Sequence, residues 1–223
     1  MTQAVRATLE PRKTPVQARS TASVDAILEA TIQVLIEVSK ERLTTTRVAQ
    51  RAGVSVGTLY QYFPNKSALL RAVLERHLGS IADAVEAACG ASQGKPLETM
   101  AAALVTAFFD AKMKNAKNSR ALHAVSDDVD GITVVREVSR RFTKAIAAML
   151  ETAPEGLTTD AEIAASMLQG AMVGVSRRML ETGTFEKQRI EAMRGEAIIL
   201  AGAYLKARAS NLGQGSKCPK VNS

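Results

Sequence analysis

Apolar residues along this chain recur every three to four positions, and no stretch alternates convincingly with period two, so the pattern is that of packed helices. Val24, Ile27, Leu28, Thr31, Leu35 and Val38 fall on one helical stripe behind Ser23, whose hydroxyl suits an N-cap, and predict a first helix of about sixteen residues. Leu69, Leu70, Val73, Leu74, Leu78, Ile81 and Val85 mark a long fourth helix over 66–87, with Asn65 at its start, just after Pro64. The run GASQGKP at 90–96 ends that pattern. Further helices are expected over 97–114, 119–125, 132–152, 160–181 and 187–208, separated by the breakers DDVDG, APEGLTT and TGTF. With two short helices around Gly53, the expectation is an all-α fold of about nine helices.

Composition agrees with that reading and excludes others. Hydrophobic residues at 46% and charged residues at 23% are globular values, which rules out a disordered, collagenous or fibrous chain. Only 4% of residues are aromatic and none is Trp, while Ala is abundant, which favours helices over a β-sandwich or barrel. Cys89 and Cys218 lie far apart and form no disulfide framework, so a reduced, cytoplasmic setting is expected. The opening MTQAVRATLEPRKTPVQARS has no apolar core of a signal peptide, and no apolar run approaches the roughly 18–20 residues of a membrane span. A soluble intracellular protein without a membrane partner is expected.

Charge is uneven. Of the formal +7, residues 1–79 carry 11 basic and 6 acidic side chains, and residues 80–223 carry 18 and 16. Charge alone leaves two readings level, a nucleic-acid surface and a solvated basic end. Arg6, Arg12, Lys13 and Arg19, with Pro11 and Pro15 among them, read as a flexible basic arm over 1–22. The Gly/Ser/Lys-rich end, 211–223, is expected to fray. Between the tails, a domain over 23–80 and a larger one over 81–210 are expected.

The stretch LTTTRVAQRAGVSVGTLYQYFPNKSALL at 43–70 has an order that generic helices do not need. Thr44 caps a short helix whose Val48, Ala49 and Ala52 face inward, and Gly53 stands where a left-handed residue would end it. Val54 fills the turn, and Ser55 caps a second short helix that runs through Phe63, giving a helix-turn-helix. At 100° per residue Leu59 and Phe63 face the core, while Gly57, Thr58, Tyr60 and Gln61 occupy the outward arc, flanked by Val56 and Tyr62. A major groove makes use of such a face. Gly57 permits close backbone approach, Thr58 and Gln61 reach base edges or phosphates, Val56 meets a thymine methyl, and the two tyrosines offer hydroxyls to phosphates. Lys66, in the first turn of the next helix, adds a cation beside free backbone N–H groups.

This segment resembles the DNA-binding domain of the tetracycline-repressor (TetR) family of bacterial transcription regulators. The likeness covers roughly residues 23–80 and rests on Thr44, Val48 and Ala49, the run Ala52–Ser55, the run Gly57–Tyr60, Tyr62, Phe63 and Lys66, followed by Leu69 and Leu70. One departure is Thr45, where the family usually places an apolar residue. The resemblance implies contact with double-stranded operator DNA through Thr44, Ser55, Val56, Gly57, Thr58, Tyr60, Gln61, Tyr62 and Lys66. It also implies a homodimer whose C-terminal domain binds a small effector and, in a repressor, releases a pseudo-palindromic operator.

The C-terminal region carries no sharp motif. Met167, Gly170, Ala171, Gly174 and Val175 form a small-residue face, and with Ile190, Met193, Ala197, Ala201 and Tyr204 they suit either a dimer interface or an internal core. The family likeness favours the dimer. An apolar effector lining is expected from Met100, Leu104, Phe108, Met113, Leu122, Phe142, Ile146 and Met149, with His123 and Arg120 as polar anchors. Asp127, Asp128 and Asp130 lack the spacing of a metal loop and read as a solvated turn, so no metal and no cofactor are expected. No nucleophile motif and no phosphate-cradling glycine signature is present, so an enzyme is not expected. The competing classes are a non-specific nucleoid or architectural protein and, less favoured, an enzyme acting on a small molecule.

Overall fold

The computed structural model describes residues 18–126, 129–183 and 186–210, and nine helices hold most of them. The first four are α1 (Ala18–Arg42), α2 (Thr45–Ala52), α3 (Val56–Tyr62) and α4 (Lys66–Ala91). They are followed by α5 (Leu97–Met113), α6 (Ala116–Ser126), α7 (Val129–Leu150), α8 (Ala161–Thr182) and α9 (Lys187–Arg208). The only bridge among the described residues joins Leu157 and Ala209, so the fold is all-α, as its periodicity predicts. No described helix is long and apolar enough to cross a membrane.

Several helix boundaries differ from the sequence expectation; α1 runs on to Arg42, and α4 continues to Ala91 through Gly90 of the expected break. Helix α1 begins at Ala18, which places Ser23 inside the helix and takes residues 18–22 out of the expected arm; a serine there costs about 0.5 kcal/mol, too little to delay the start. The arm up to residue 17 and the tail 211–223 lie outside the described residues. Helix α6 begins at Ala116, because the Ser119 hydroxyl turns back to the Lys112 carbonyl (2.7 Å) instead of capping α6. Asp130 lies in the first turn of α7, so the expected turn at 127–130 is shorter; Asp127 and Asp128 lie outside the described residues.

The described chain forms two compact units. The first takes in the chain up to Ile81 together with Lys112–Val138. Its core joins Ile27, Leu28 and Leu35 of α1 to Val48, Ala49, Leu59 and Phe63 of the helix-turn-helix segment and to Leu69, Leu70, Val73 and Leu74 of α4. Burying one such Leu stabilises by about 1.5–3 kcal/mol, so this cluster fixes how the short helices sit. This unit is discontinuous in sequence, unlike the single stretch expected over 23–80. Leu122 and Val125 of α6 and Val134 of α7 belong to the same apolar cluster, and α6 packs on α1.

The second unit comprises Ala82–Ala111 and the chain from Ser139 onward. Met100, Leu104, Phe108, Ile146 and Met149 are buried in it, and the Phe108 ring meets Phe109 and Phe142 edge-on at 5.5 and 6.1 Å. Arg141 of α7 forks onto α4, donating Nε to Glu86 (2.8 Å) and Nη2 to Glu86 (2.7 Å) and Asp83 (2.8 Å). Buried Gln169 of α8 is satisfied from α7, accepting from Thr143 at 2.8 Å and donating to Ser139 at 2.6 Å. Asp160 caps α8 by accepting the Glu162 and Ile163 N–H groups, and Gly183 ends it in the left-handed conformation. Burial, with the Glu86 charge adding, pushes the Cys89 thiol up to about 11, so it is a packing residue rather than a nucleophile. Helices α4, α5 and α7 each continue unbroken from one unit into the other.

Candidate nucleic-acid interface

The helix-turn-helix is built from short-range signals. Thr44 Oγ1 accepts the Arg47 N–H (3.3 Å) at the start of α2, and Gly53, at φ 68°, donates its N–H to the Ala49 and Gln50 carbonyls at the end. An L-residue would be strained at that φ, which is why glycine stands there. Ser55 Oγ accepts the Thr58 N–H (2.9 Å) to open α3, and Asn65 Oδ1 accepts the Ala68 N–H (2.8 Å) to open α4. All four ends follow from residue types already visible in the sequence.

On α3, Leu59 is fully buried and Phe63, just past the helix, is 2% exposed, so both anchor the helix as its periodicity predicts. Gly57, Tyr60 and Gln61 are exposed, while Val56, Thr58 and Tyr62 are partly buried. Val56 and Tyr62 lean on the apolar cluster, which leaves less of each for an outside partner than the outward arc suggested. The Thr58 hydroxyl is already engaged with Ser55 Oγ at 2.8 Å. A Cβ added at Gly57 would meet only Ser55 Oγ at 3.7 Å, an ordinary contact, so the fold itself has room for a larger residue there.

Two polar contacts are not visible from sequence spacing. Tyr60 Oη lies 3.0 Å from Thr45 Oγ1, tying α3 to α2 through the residue at which this chain departs from its family pattern. Lys66 Nζ donates to the Lys40 carbonyl at 2.6 Å, where Ser39 (φ 63°) kinks α1, so part of the expected phosphate cation is given to holding α1 on α4. Arg47 of α2 is a further exposed cation in this segment that the motif reading passed over. Arg51 is not one of that kind, since it pairs with Glu37 (2.7 Å) and Gln33 (3.3 Å) of α1.

The other expected sites fall as follows. Met100, Leu104, Phe108, Phe142, Ile146 and Met149 lie together in the second unit, whereas Met113, Leu122, His123 and Arg120 belong to the first. Leu122 is part of the apolar cluster beneath the helix-turn-helix, and the His123 ring lies 3.3 Å from Ser126 Oγ. Of the expected dimer residues, Met167, Ala171, Ala197, Ala201 and Tyr204 line an apolar groove between α8 and α9, with Leu168, Met172, Val175 and Leu200. Gly170 and Gly174 are exposed on the same helix, and Ile190 and Met193 are partly buried on α9. This face leaves large apolar side chains in solvent, with Ile163, Met167, Ile199 and Leu200 each more than half exposed.

Two family models match the chain. The bacterial regulatory protein, tetR family, matches residues 27–73, and the tetracyclin repressor-like C-terminal domain matches residues 96–205. Over 51 residues the chain is 47% identical to the nucleoid occlusion factor SlmA of Haemophilus ducreyi, which is 22% of this chain and 25% of that protein. Over 54 residues it is 43% identical to the class C tetracycline repressor of Escherichia coli, 24% of this chain and 25% of that one. The matched stretch thus spans about a quarter of these curated relatives. Among solved structures, the fatty acid degradation regulator FadR of Bacillus halodurans aligns with a TM-score of 0.69 at 19% identity, covering 85% of this chain and 96% of that one. SmeT, the repressor of a Stenotrophomonas maltophilia multidrug efflux pump, aligns at 0.65 and 22%, covering 86% and 93%. At such identities these structures share the fold.

Proposed function

The chain belongs to the TetR family of bacterial regulators and is a DNA-binding transcriptional regulator; from that premise we propose that it is a homodimeric repressor that leaves a pseudo-palindromic operator when a small hydrophobic or amphipathic molecule binds. The observation that carries the groove assignment is Gly57. A glycine inside a helix costs about 0.5–1 kcal/mol against alanine, and the fold has space for the alanine, so its smallness serves something that approaches from outside. The backbone of α3 then comes close to the base edges, Gln61 and Thr58 read them, and Tyr60, Thr44 and Lys66 hold phosphates.

Dimerisation through α8 and α9 is supported by the exposed apolar side chains of that face. Two copies joined there present two α3 helices to successive major grooves, which lie roughly 34–36 Å apart or a multiple of it. The effector acts by population shift, binding better to a conformation in which that spacing is wrong. Helix α4 carries the change, since it begins beside α3 at Lys66 and runs on to Ala91 without interruption. The cytoplasm, where the chromosome lies, is its place of action.

Selection of bound duplexes from a random pool tests this reading. A two-fold symmetric consensus with half-sites one or more helical turns apart is the expected result. Recovery of sequences without a consensus would favour the non-specific nucleoid protein instead.

A further inference from the structure

Along α1, Asp25, Glu29, Gln33 and Glu37 stand four residues apart on one exposed face. Two arginines of other helices come to it. Arg76 of α4 places Nη1 3.3 Å from Asp25 Oδ1 and Nη2 3.8 Å from Glu29 Oε2. Arg51, in the last turn of α2, donates Nη1 to Gln33 Oε1 (3.3 Å) and Nη2 to Glu37 Oε2 (2.7 Å). Gln33 joins the two halves, because its Nε2 also donates to Glu29 Oε1 at 3.4 Å. A continuous polar ladder thus runs along α1, with α4 held at one end and α2 at the other.

Stability does not account for the ladder. The Arg51 and Glu37 side chains are 39% and 51% exposed, and ion pairs so open to water contribute little to folding. The apolar cluster beneath already fixes α1, α2 and α4 against one another. Charge accounts for it better. Residues 1–79 carry 11 basic and 6 acidic side chains, and Asp25, Glu29 and Glu37, half of those acids, stand on this one face. The first helix of a helix-turn-helix crosses the DNA backbone, and a guanidinium matches a phosphate with two parallel N–H donors. Arg51 is an arginine of that first helix, and both of its Nη groups are already given to α1.

We propose that the α1 ladder withholds Arg51 from the phosphate backbone and so keeps the affinity for DNA of any sequence low. Sequence-independent binding grows with the number of phosphates a protein neutralises. A guanidinium whose charge is cancelled 2.7 Å away offers a phosphate little, and drawing it off would leave the Glu37 carboxylate unpaired beside a polyanion, which repels it. Glu37 is then a specificity-determining residue that touches no base. The inference needs only that the chain binds DNA, and its test uses no operator, so it stands or falls apart from the reading assigned to α3.

The test is the affinity of the full-length protein for a short mixed-sequence duplex across a salt series, followed by fluorescence anisotropy. Glu37→Ala should bind about two- to fivefold more tightly than the wild type and steepen the slope of log K against log salt by about 0.9, the share of one phosphate. Arg51→Gln should leave the wild-type slope unchanged, and adding it to Glu37→Ala should abolish the gain. A slope that falls by about 0.9 in Arg51→Gln alone would place Arg51 on a phosphate in the wild type and overturn the proposal. A gain that survives in the double variant would overturn it as well, since net charge alone would then be responsible, and so would the absence of any gain in Glu37→Ala. Melting curves check that the variants fold, with Glu37→Gln as the second variant should Glu37→Ala not do so.

Discussion

The outward face of α3 and the face formed by α8 and α9 are both left open, and they are left open with opposite chemistry. On α3 the exposed groups are Gly57, Tyr60 and Gln61, polar or minimal, and Thr44 and Arg47 are exposed in the same helix-turn-helix segment. On α8 and α9 they are Ile163, Met167, Val173, Ile199 and Leu200. A polar, cationic surface with a bare glycine suits a hydrated polyanion whose edges must be reached, and an apolar one suits another apolar surface. Under the proposed function each face has its own class of partner, DNA for the first and a second copy for the other, and substitutions that are harmless on one should be damaging on the other.

The strongest way to break that contrast is to remove what supports one face. Leu59→Ala empties a fully buried site under α3 and should cost about 2–5 kcal/mol, read as a lower melting temperature together with lost DNA binding. Met167→Glu with Leu200→Glu should leave each chain folded but monomeric by light scattering, and should weaken operator binding by about 10²-fold or more because the half-sites are no longer held together. A dimer that persists would move the interface off α8 and α9.

Acid should distinguish the two units, since both histidines of the chain lie in the first. His77 is held down to about 4 by burial, so the unfolded chain binds its proton first as pH falls. Stability should be level above about pH 6.5 and decline from there towards pH 4, and His77→Gln should flatten that decline in melting curves. A decline that is unchanged in the variant would assign the acid sensitivity to carboxylates.

Gly57→Ala separates folding from reading. The fold should gain about 0.5–1 kcal/mol, because the added methyl meets no crowding, while operator affinity should fall by about tenfold as the backbone is held away from the groove. The smallest effect is expected from Thr45→Val, which removes the partner of the Tyr60 hydroxyl. Worth about 0.5–1.4 kcal/mol as a net hydrogen bond, it should weaken binding about two- to tenfold, and Thr45→Ser should restore it. No loss in Thr45→Val would mean that Tyr60 is oriented by packing alone.

What could be read from the sequence was what neighbouring residues decide. Thr44, Gly53, Ser55 and Asn65 act within a few positions of themselves, and the structure uses each as its type suggests. The apolar stripe of α1 and the bounds of α9 follow likewise from periodicity. Hidden from spacing was everything made by distant residues. Glu155 caps the start of α5 from 58 positions away, Tyr60 meets Thr45, Lys66 meets Lys40, and α6 joins the core of the first unit through Leu122 and Val125. A stripe says that a face is buried, not against which helix, and so the expected effector residues fall into different units.

The central claim is that α3 reads base sequence. It is tested most directly by the ratio of affinities for the selected operator and for a scrambled duplex of the same length, measured at one salt concentration near physiological. A ratio of about 10³ or more is predicted, and equal affinities would contradict the account.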